Sequence, residues 1–282
     1  MLALFFIFTF VALTIPNAYA IDLQPADLIP LKSDLTLIQF SYLQSDFSKS
    51  ASLRYNTAQS LVRLGRSFEI EKHPSLFYVQ TPIGYVHPQE GFGASKGDSG
   101  IGDTTMLLAF WPYANRETQT YFAIGGYLTL PTGNYDGSRA FNMGANRYQS
   151  AIQAGYQTPI YKNVEWSAAF DTLWSGDNRD YFSVTGAHTY MEQDPLYTLQ
   201  TALRYTFNAT YAAGLTYFYT EGGDKTINGI ANHLPIELQR YQLTLTGQYS
   251  FGRLTFQYGE DIQAENNYKE DQRVIFRYTK VF

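Results

Sequence analysis

The stretch QRYQLTLTGQYSFGRLTFQYGEDIQAENNYKEDQRVIFRYTKVF, residues Gln239–Phe282, repeats with a period of two. Tyr241, Leu243, Leu245, Tyr249 and Phe251 fall on one face, and Gln242, Thr244, Thr246 and Gln248 fall on the other. After the Phe251-Gly252-Arg253 turn, Leu254, Phe256 and Tyr258 alternate with Thr255 and Gln257. A polar loop, Glu265–Asp271, precedes a last strand with Val274, Phe276, Tyr278 and Phe282 on one face and Arg273, Arg277 and Thr279 on the other. Such alternation marks an antiparallel sheet with one apolar and one hydrogen-bonding face. Two architectures use it. A soluble sandwich turns the polar face to water, whereas a membrane barrel turns the apolar face to lipid and the polar face to a lumen.

Working backward from this stretch, the pattern continues. Strands are expected over Leu35–Ser45, Ala51–Ile70, Phe77–Tyr85, Asp103–Tyr113, Phe122–Leu130, Tyr148–Thr158, Val164–Trp174, Leu196–Phe207 and Thr210–Thr220, about twelve in all. Each is near the ~9–11 residues that cross a bilayer at barrel tilt. Asp46–Ser50 is expected as a loop, and Pro82 implies a bulge or weak pairing. Asp103–Tyr113 is apolar on both faces, so its orientation is open. Long polar connections at His87–Gly102, Pro131–Arg147, Ser175–Asp194 and Glu221–Leu238 alternate with short ones at Glu71–Pro74, Ala114–Thr118, Pro159–Asn163, Asn208 and Gly252. A short hairpin around Gly186 is one reading of the third long loop. A sandwich has no reason to sort its loops by parity, but an outer-membrane barrel does, with short turns in the periplasm. The expected fold is therefore all-β, a transmembrane antiparallel β-barrel of about twelve strands over residues 35–282.

Composition agrees. The 282 residues are 17% aromatic and 16% charged, and 24 are Tyr, enough to fill two interfacial belts. A net charge of −5 argues against a nucleic-acid partner. Without Cys there is no disulfide framework or thiolate metal site. Residues 1–20 read as a cleaved export signal: Leu2–Ile15 is apolar and Ala18-Tyr19-Ala20 offers a small-residue cleavage site, although no Lys or Arg precedes Lys32. Residues 21–34 (IDLQPADLIPLKSD) have two prolines and no period. They are expected either in the periplasm or as a small plug in the barrel mouth.

Gly100-Ile101-Gly102-Asp103, Leu130-Pro131-Thr132-Gly133-Asn134-Tyr135-Asp136 and the terminal Arg277-Tyr278-Thr279-Lys280-Val281-Phe282 together resemble the family called putative meta-pathway of phenol degradation. The resemblance implies an outer-membrane barrel in a Gram-negative cell that moves small hydrophobic or aromatic solutes. Lys280 departs from the apolar residue usual on that face and can snorkel to headgroups. Tyr278 and Phe282 are expected in the signal read by the barrel-assembly machinery.

The inward face supplies the candidate lumen residues: Arg63, Gln149, Gln153, Glu165, Asp171, Gln200, Arg204, Gln242, Thr244, Arg273 and Arg277. They line a solute path, or they fill the lumen and stiffen the barrel. Both readings stay open. The glycines Gly97, Gly100 and Gly102 do not make a phosphate loop, because an apolar strand follows where a helix is required. A lipid hydrolase needs a nucleophile beside a held base. His73, His87, His188 and His233 all fall in or beside connections, with His87 near Ser95 or Ser99 the best arrangement on offer. Asp177, Asn178 and Asp180 are too irregularly spaced for a calcium loop. The expected function is diffusion of small solutes through the outer membrane, aromatic or hydrophobic ones on the family resemblance, without catalysis, cofactor or metal. The alternatives are a structural or adhesive surface barrel and a rim-located lipid hydrolase. Expected partners are outer-membrane lipids, the assembly machinery and a small-molecule solute.

Overall fold

A computed structural model describes residues 13–14, 22–50, 52–182 and 189–282. Most of the expected export signal, as well as Gly186 and His188, lies outside them. Twelve long strands form the wall: β1 (Thr36–Ser50), β2 (Leu53–Ile70), β3 (His73–Glu90), β4 (Thr104–Asn115), β5 (Thr120–Leu130), β6 (Gln149–Tyr161), β7 (Val164–Ser175), β8 (Leu196–Thr206), β9 (Tyr211–Gly222), β10 (Ile236–Tyr249), β11 (Gly252–Glu265) and β12 (Lys269–Val281). Each pairs antiparallel with its neighbour in sequence, and β12 pairs with β1, so the sheet closes without an edge. Closure satisfies every ladder inside the sheet, which a bilayer requires. At the seam the Phe282 amide donates to the Thr36 carbonyl at 3.0 Å, and the Thr36 amide donates back at 3.1 Å.

The alternation has its expected consequence. Leu203, Leu215 and Leu243 are in register on β8, β9 and β10, and each is 47–49% exposed on the outer wall. On the same strands Gln200, Thr216, Gln242 and Thr244 are buried inside. At the end with the short turns, Tyr113, Tyr161, Phe207, Tyr211, Phe251 and Phe282 stand exposed on the wall. Such a girdle marks a membrane–water interface. Tyr249 stacks on Phe251 with centroids 5.1 Å apart. Lys280 donates to the Ser250 carbonyl at 3.1 Å in this belt.

Three local expectations need correction. Asp46–Ser50 is strand, β3 runs on to Glu90 with Asp98–Ile101 paired against it, and the β11–β12 turn shrinks to residues 266–268. At this end the wall rises past its apolar band: alternation fades because no lipid selects for it, but ladder hydrogen bonds continue. Pro82 causes no register shift against β2. It sits where β3 changes partner, pairing β4 through Gln80 and Asp98–Ile101 from Ile83, so its missing N–H falls in a gap of the ladder. The two-sided strand β4 is also resolved. Leu107, Ala109 and Trp111 point inward and are buried, and Leu108 is exposed.

Residues 22–34 run along the interior. Gln24-Pro25-Ala26-Asp27 makes a turn closed by the Asp27 amide on the Gln24 carbonyl at 2.9 Å, with Ala26 at φ 79°. Pro at the second position and positive φ at the third define a type II turn.

Candidate functional site

The lumen is built by strand side chains converging on this N-terminal segment. At its start Asp22 ion-pairs with Arg240 at 2.7 Å and with Arg273 at 3.3 Å, while Glu270 reaches each arginine at 3.5 Å. Arg240 and Glu270 are buried and Asp22 and Arg273 largely so, and the four charges offset one another in the interior. Asp261, in register with Arg240, accepts the Glu270 amide at 2.7 Å. Lower down, Gln200 accepts the Leu23 amide at 2.9 Å and Gln242 donates to Gln24 at 3.0 Å. Trp111 Nε1 donates to the Leu28 carbonyl at 2.8 Å, Arg116 donates to the Pro30 and Leu31 carbonyls, and Ser67 donates to that of Lys32. The segment is thus tied down from mid-barrel to the short turns.

Two glycines make room for it. A Cβ on Gly214 would sit 2.6 Å from Pro25 Cγ, and one on Gly155 would sit 2.7 Å from Leu28 Cδ2. A side chain at either position would displace the segment.

The other expected lumen residues also face inward. Asp171 accepts from Gln153 and Gln200, and Gln153 accepts from Tyr127. Gln149 donates to Ser175, Thr244 accepts from Gln257, and Arg204 pairs with Glu165 at 2.9 Å. Arg63 donates to Gln80 and Gln39 and lies 4.2 Å over the Tyr78 ring. Arg277 Nε is buried without a hydrogen-bond partner among the described residues. The strand reading missed Arg240, Glu270, Asp261 and Trp111. Arg240 shares parity with Gln242 and was available to it. Glu270 was not, because a register shift between Glu270 and Gln272 breaks the period in β12.

Beside the segment remains a cavity of about 350 Å³. Part of its lining is apolar, made by Tyr78, Leu107, Trp111 and Tyr127; Arg63, Arg253 and Arg277 line it as well. Asp27 is its one lining acid among the described residues.

Above the lumen the long connections fold inward. Phe47, Tyr55, Val86, Phe92, Phe141 and Met143 form a buried cluster there. Asp103 fastens the 131–147 connection, accepting the Gly133 amide at 2.9 Å and the Ala145 amide at 2.8 Å. Burial raises the Asp103 carboxyl above its ordinary pKa, against those two amides, which lower it. The Gly102-Asp103 and Pro131–Asp136 motifs are therefore two halves of one loop fastening. The hydrolase geometry does not assemble: no hydrogen bond joins His87 to Ser95 or Ser99 among the described residues, and His87 is exposed. Asn178 spends its side chain on Asn146, Tyr135 and the Asp180 amide, and Asp177 accepts from Tyr190, so neither is arranged round an ion.

A closed barrel of twelve antiparallel strands, apolar outside, girdled by aromatics and polar within, defines an outer-membrane β-barrel protein. The chain belongs to the family described as "Putative MetA-pathway of phenol degradation", whose model matches residues 44–278. It is similar to an outer membrane channel from Pseudomonas putida F1, at 25% identity and a TM-score of 0.87 over 93% of this chain and 100% of that one. The translocator domain of the autotransporter NalP from Neisseria meningitidis matches at 11% identity and TM-score 0.53, over 90% of each chain. The β domain of the Bordetella autotransporter BrkA matches at 11% identity and TM-score 0.51, over 88% of this chain and 99% of that one. These two share the fold alone. No curated protein matches the chain.

Proposed function

We propose that the protein is an outer-membrane channel through which small solutes with a hydrophobic or aromatic body diffuse, residues 22–34 acting as a built-in plug. The observation that carries this reading is the cavity beside the segment, with its apolar lining of Tyr78, Leu107, Trp111 and Tyr127. A lumen divided in this way suits narrow solutes and excludes bulky ones. The candidate residues divide accordingly: Arg63 and Arg277 line the path, while Gln200, Gln242 and Arg273 hold the plug. Family membership and the Pseudomonas putida relative, itself an outer membrane channel, support the same reading. Reconstituted in liposomes, the protein is expected to admit small aromatic solutes faster than sugars of equal size. No uptake of any solute above that of empty liposomes contradicts the reading and leaves a structural barrel, which the densely hydrogen-bonded interior would also suit.

Export through a cleaved signal at residues 1–20 and recognition of Tyr278 and Phe282 by the assembly machinery complete the proposal. Phe282 is well placed for that role, since its backbone pairs with Thr36 where the barrel closes. Removing Phe282 is expected to reduce the heat-modifiable folded band in outer membranes, and an undiminished band rejects the assignment.

A further inference from the structure

At the loop end, a buried cation and a half-buried one sit together, and neither forms an ion pair among the described residues. Arg147, just before β6, is 7% exposed. Its Nη2 donates to Gln193 Oε1 at 2.6 Å, while Nε and Nη1 are buried with no partner among the described residues. Gln193 is itself fixed, its Nε2 donating to the Gly223 carbonyl at 3.1 Å. The short strand Thr189–Gln193 pairs antiparallel with Lys225–Ile227, and in that register Gln193 is directly opposite Lys225. Directly opposed residues share a face with Cβ atoms roughly 4.5–5.5 Å apart. Arg147 and Lys225 therefore meet at Gln193.

The nearby acids hold backbone amides and reach neither cation in an ion pair, although the Asp103 charge acts on Arg147 from a distance. Asp103 spends its oxygens on the Gly133 and Ala145 amides, and Asp224 accepts the Lys225 and Leu234 amides. Glu192, adjacent to Gln193 and so on the opposite face of the strand, accepts from Tyr190. Neither Arg147 nor Lys225 forms an ion pair among the described residues, and residues 1–21, 51 and 183–188 contain no Asp or Glu. Burial, reinforced by Arg147 and Lys49, pushes the Lys225 ammonium down to about 8, and burial pushes Arg147 down to about 10. Neighbouring cations, one of them buried, are costly when no anion pairs directly with them. An arginine fork with free donors beside an ammonium is the arrangement that takes a carboxylate. Lys49, close enough to act on Lys225, lies 5.6 Å over the Tyr268 ring, which packs with Tyr55 and Phe92. An aromatic body would have rings to meet beside the charge.

We propose that Arg147 and Lys225 form an anion site at the outer mouth, which captures the carboxylate of a small aromatic acid before it enters the lumen. The capture role rests on the passage reading above; the site itself does not. The sign of charge recurs below, where Arg63, Arg253 and Arg277 outnumber Asp27 around the cavity.

The test is calorimetric titration of the whole refolded protein in a nonionic detergent at low chloride, with benzoate, benzyl alcohol and inorganic phosphate as probes. Benzoate is expected to bind saturably, and about tenfold or more tighter than benzyl alcohol. Lys225→Met and Arg147→Met should each abolish that preference, and Lys225→Arg should retain it, with the heat-modifiable gel shift certifying folding of all three. Equal binding of benzoate and benzyl alcohol, or a preference unchanged by both methionine variants, overturns the site. Phosphate displacing benzoate at equal concentration overturns the carboxylate assignment. Liposome uptake separates this proposal from the passage reading. Charge-dependent binding with no uptake removes the channel and keeps the site, whereas uptake with charge-blind binding does the reverse.

Discussion

The outer wall and the lumen are made from alternate residues of the same strands, yet they are held in place by different physics. The outer wall is repetitive. Leu203, Leu215 and Leu243 occupy equivalent positions on neighbouring strands, and any of them could exchange with another aliphatic residue. The lumen is not repetitive. Gln200 meets Leu23 across 177 residues of sequence, Gln242 meets Gln24 across 218, and Asp22 bridges two arginines on separate strands. Lipid imposes one requirement on every outward position, whereas an inward position answers to a particular partner.

Substitutions on the two faces should therefore fail differently. The largest effect is expected for Leu215→Arg, which puts a charge on the lipid face between Leu203 and Leu243. Such a change costs about 2–4 kcal/mol near the bilayer midplane. It should lower the urea midpoint of the refolded barrel while leaving conductance per folded molecule unchanged. An altered conductance would mean that wall and lumen are not separable. Asp22→Ala should do the opposite. It removes the nearest acid from Arg240 and Arg273 and leaves them Glu270 and the more distant Asp261, and breaking a buried pair costs up to about 3–5 kcal/mol. That cost falls on residues 22–34, because the wall keeps its ladders. We expect noisier, larger single-channel currents with little loss of barrel stability; an unfolded barrel would show that the cluster holds the wall as well.

The same contrast explains what could be read from the sequence. Alternation gave the strands β6–β12, their faces and the parity of their connections, since lipid enforces the period directly. It failed at β4, where Leu107, Ala109 and Trp111 are as apolar as their outward neighbours. Trp111 faces inward because its indole N–H finds the Leu28 carbonyl, 83 residues away. It also failed at Glu270, where a bulge shifts the register, and at the loop end, where polar strands outlast the membrane. The inward Gln, Thr and Arg residues were legible as a polar face. Their division into those that hold residues 22–34 and those that line a cavity was not. Residues 22–34 have no period to read, and their position depends on Gly155, Gly214 and the ion cluster together.

If residues 22–34 are a plug, as proposed, the barrel wall should stand without them. The most direct test is single-channel recording in planar bilayers of the mature protein and of a variant lacking residues 22–34. Removing the segment vacates the lumen space it now occupies against Gln200 and Gln242, so conductance should rise several-fold, with the heat-modifiable gel shift preserved. Equal conductance in the two proteins would contradict the account.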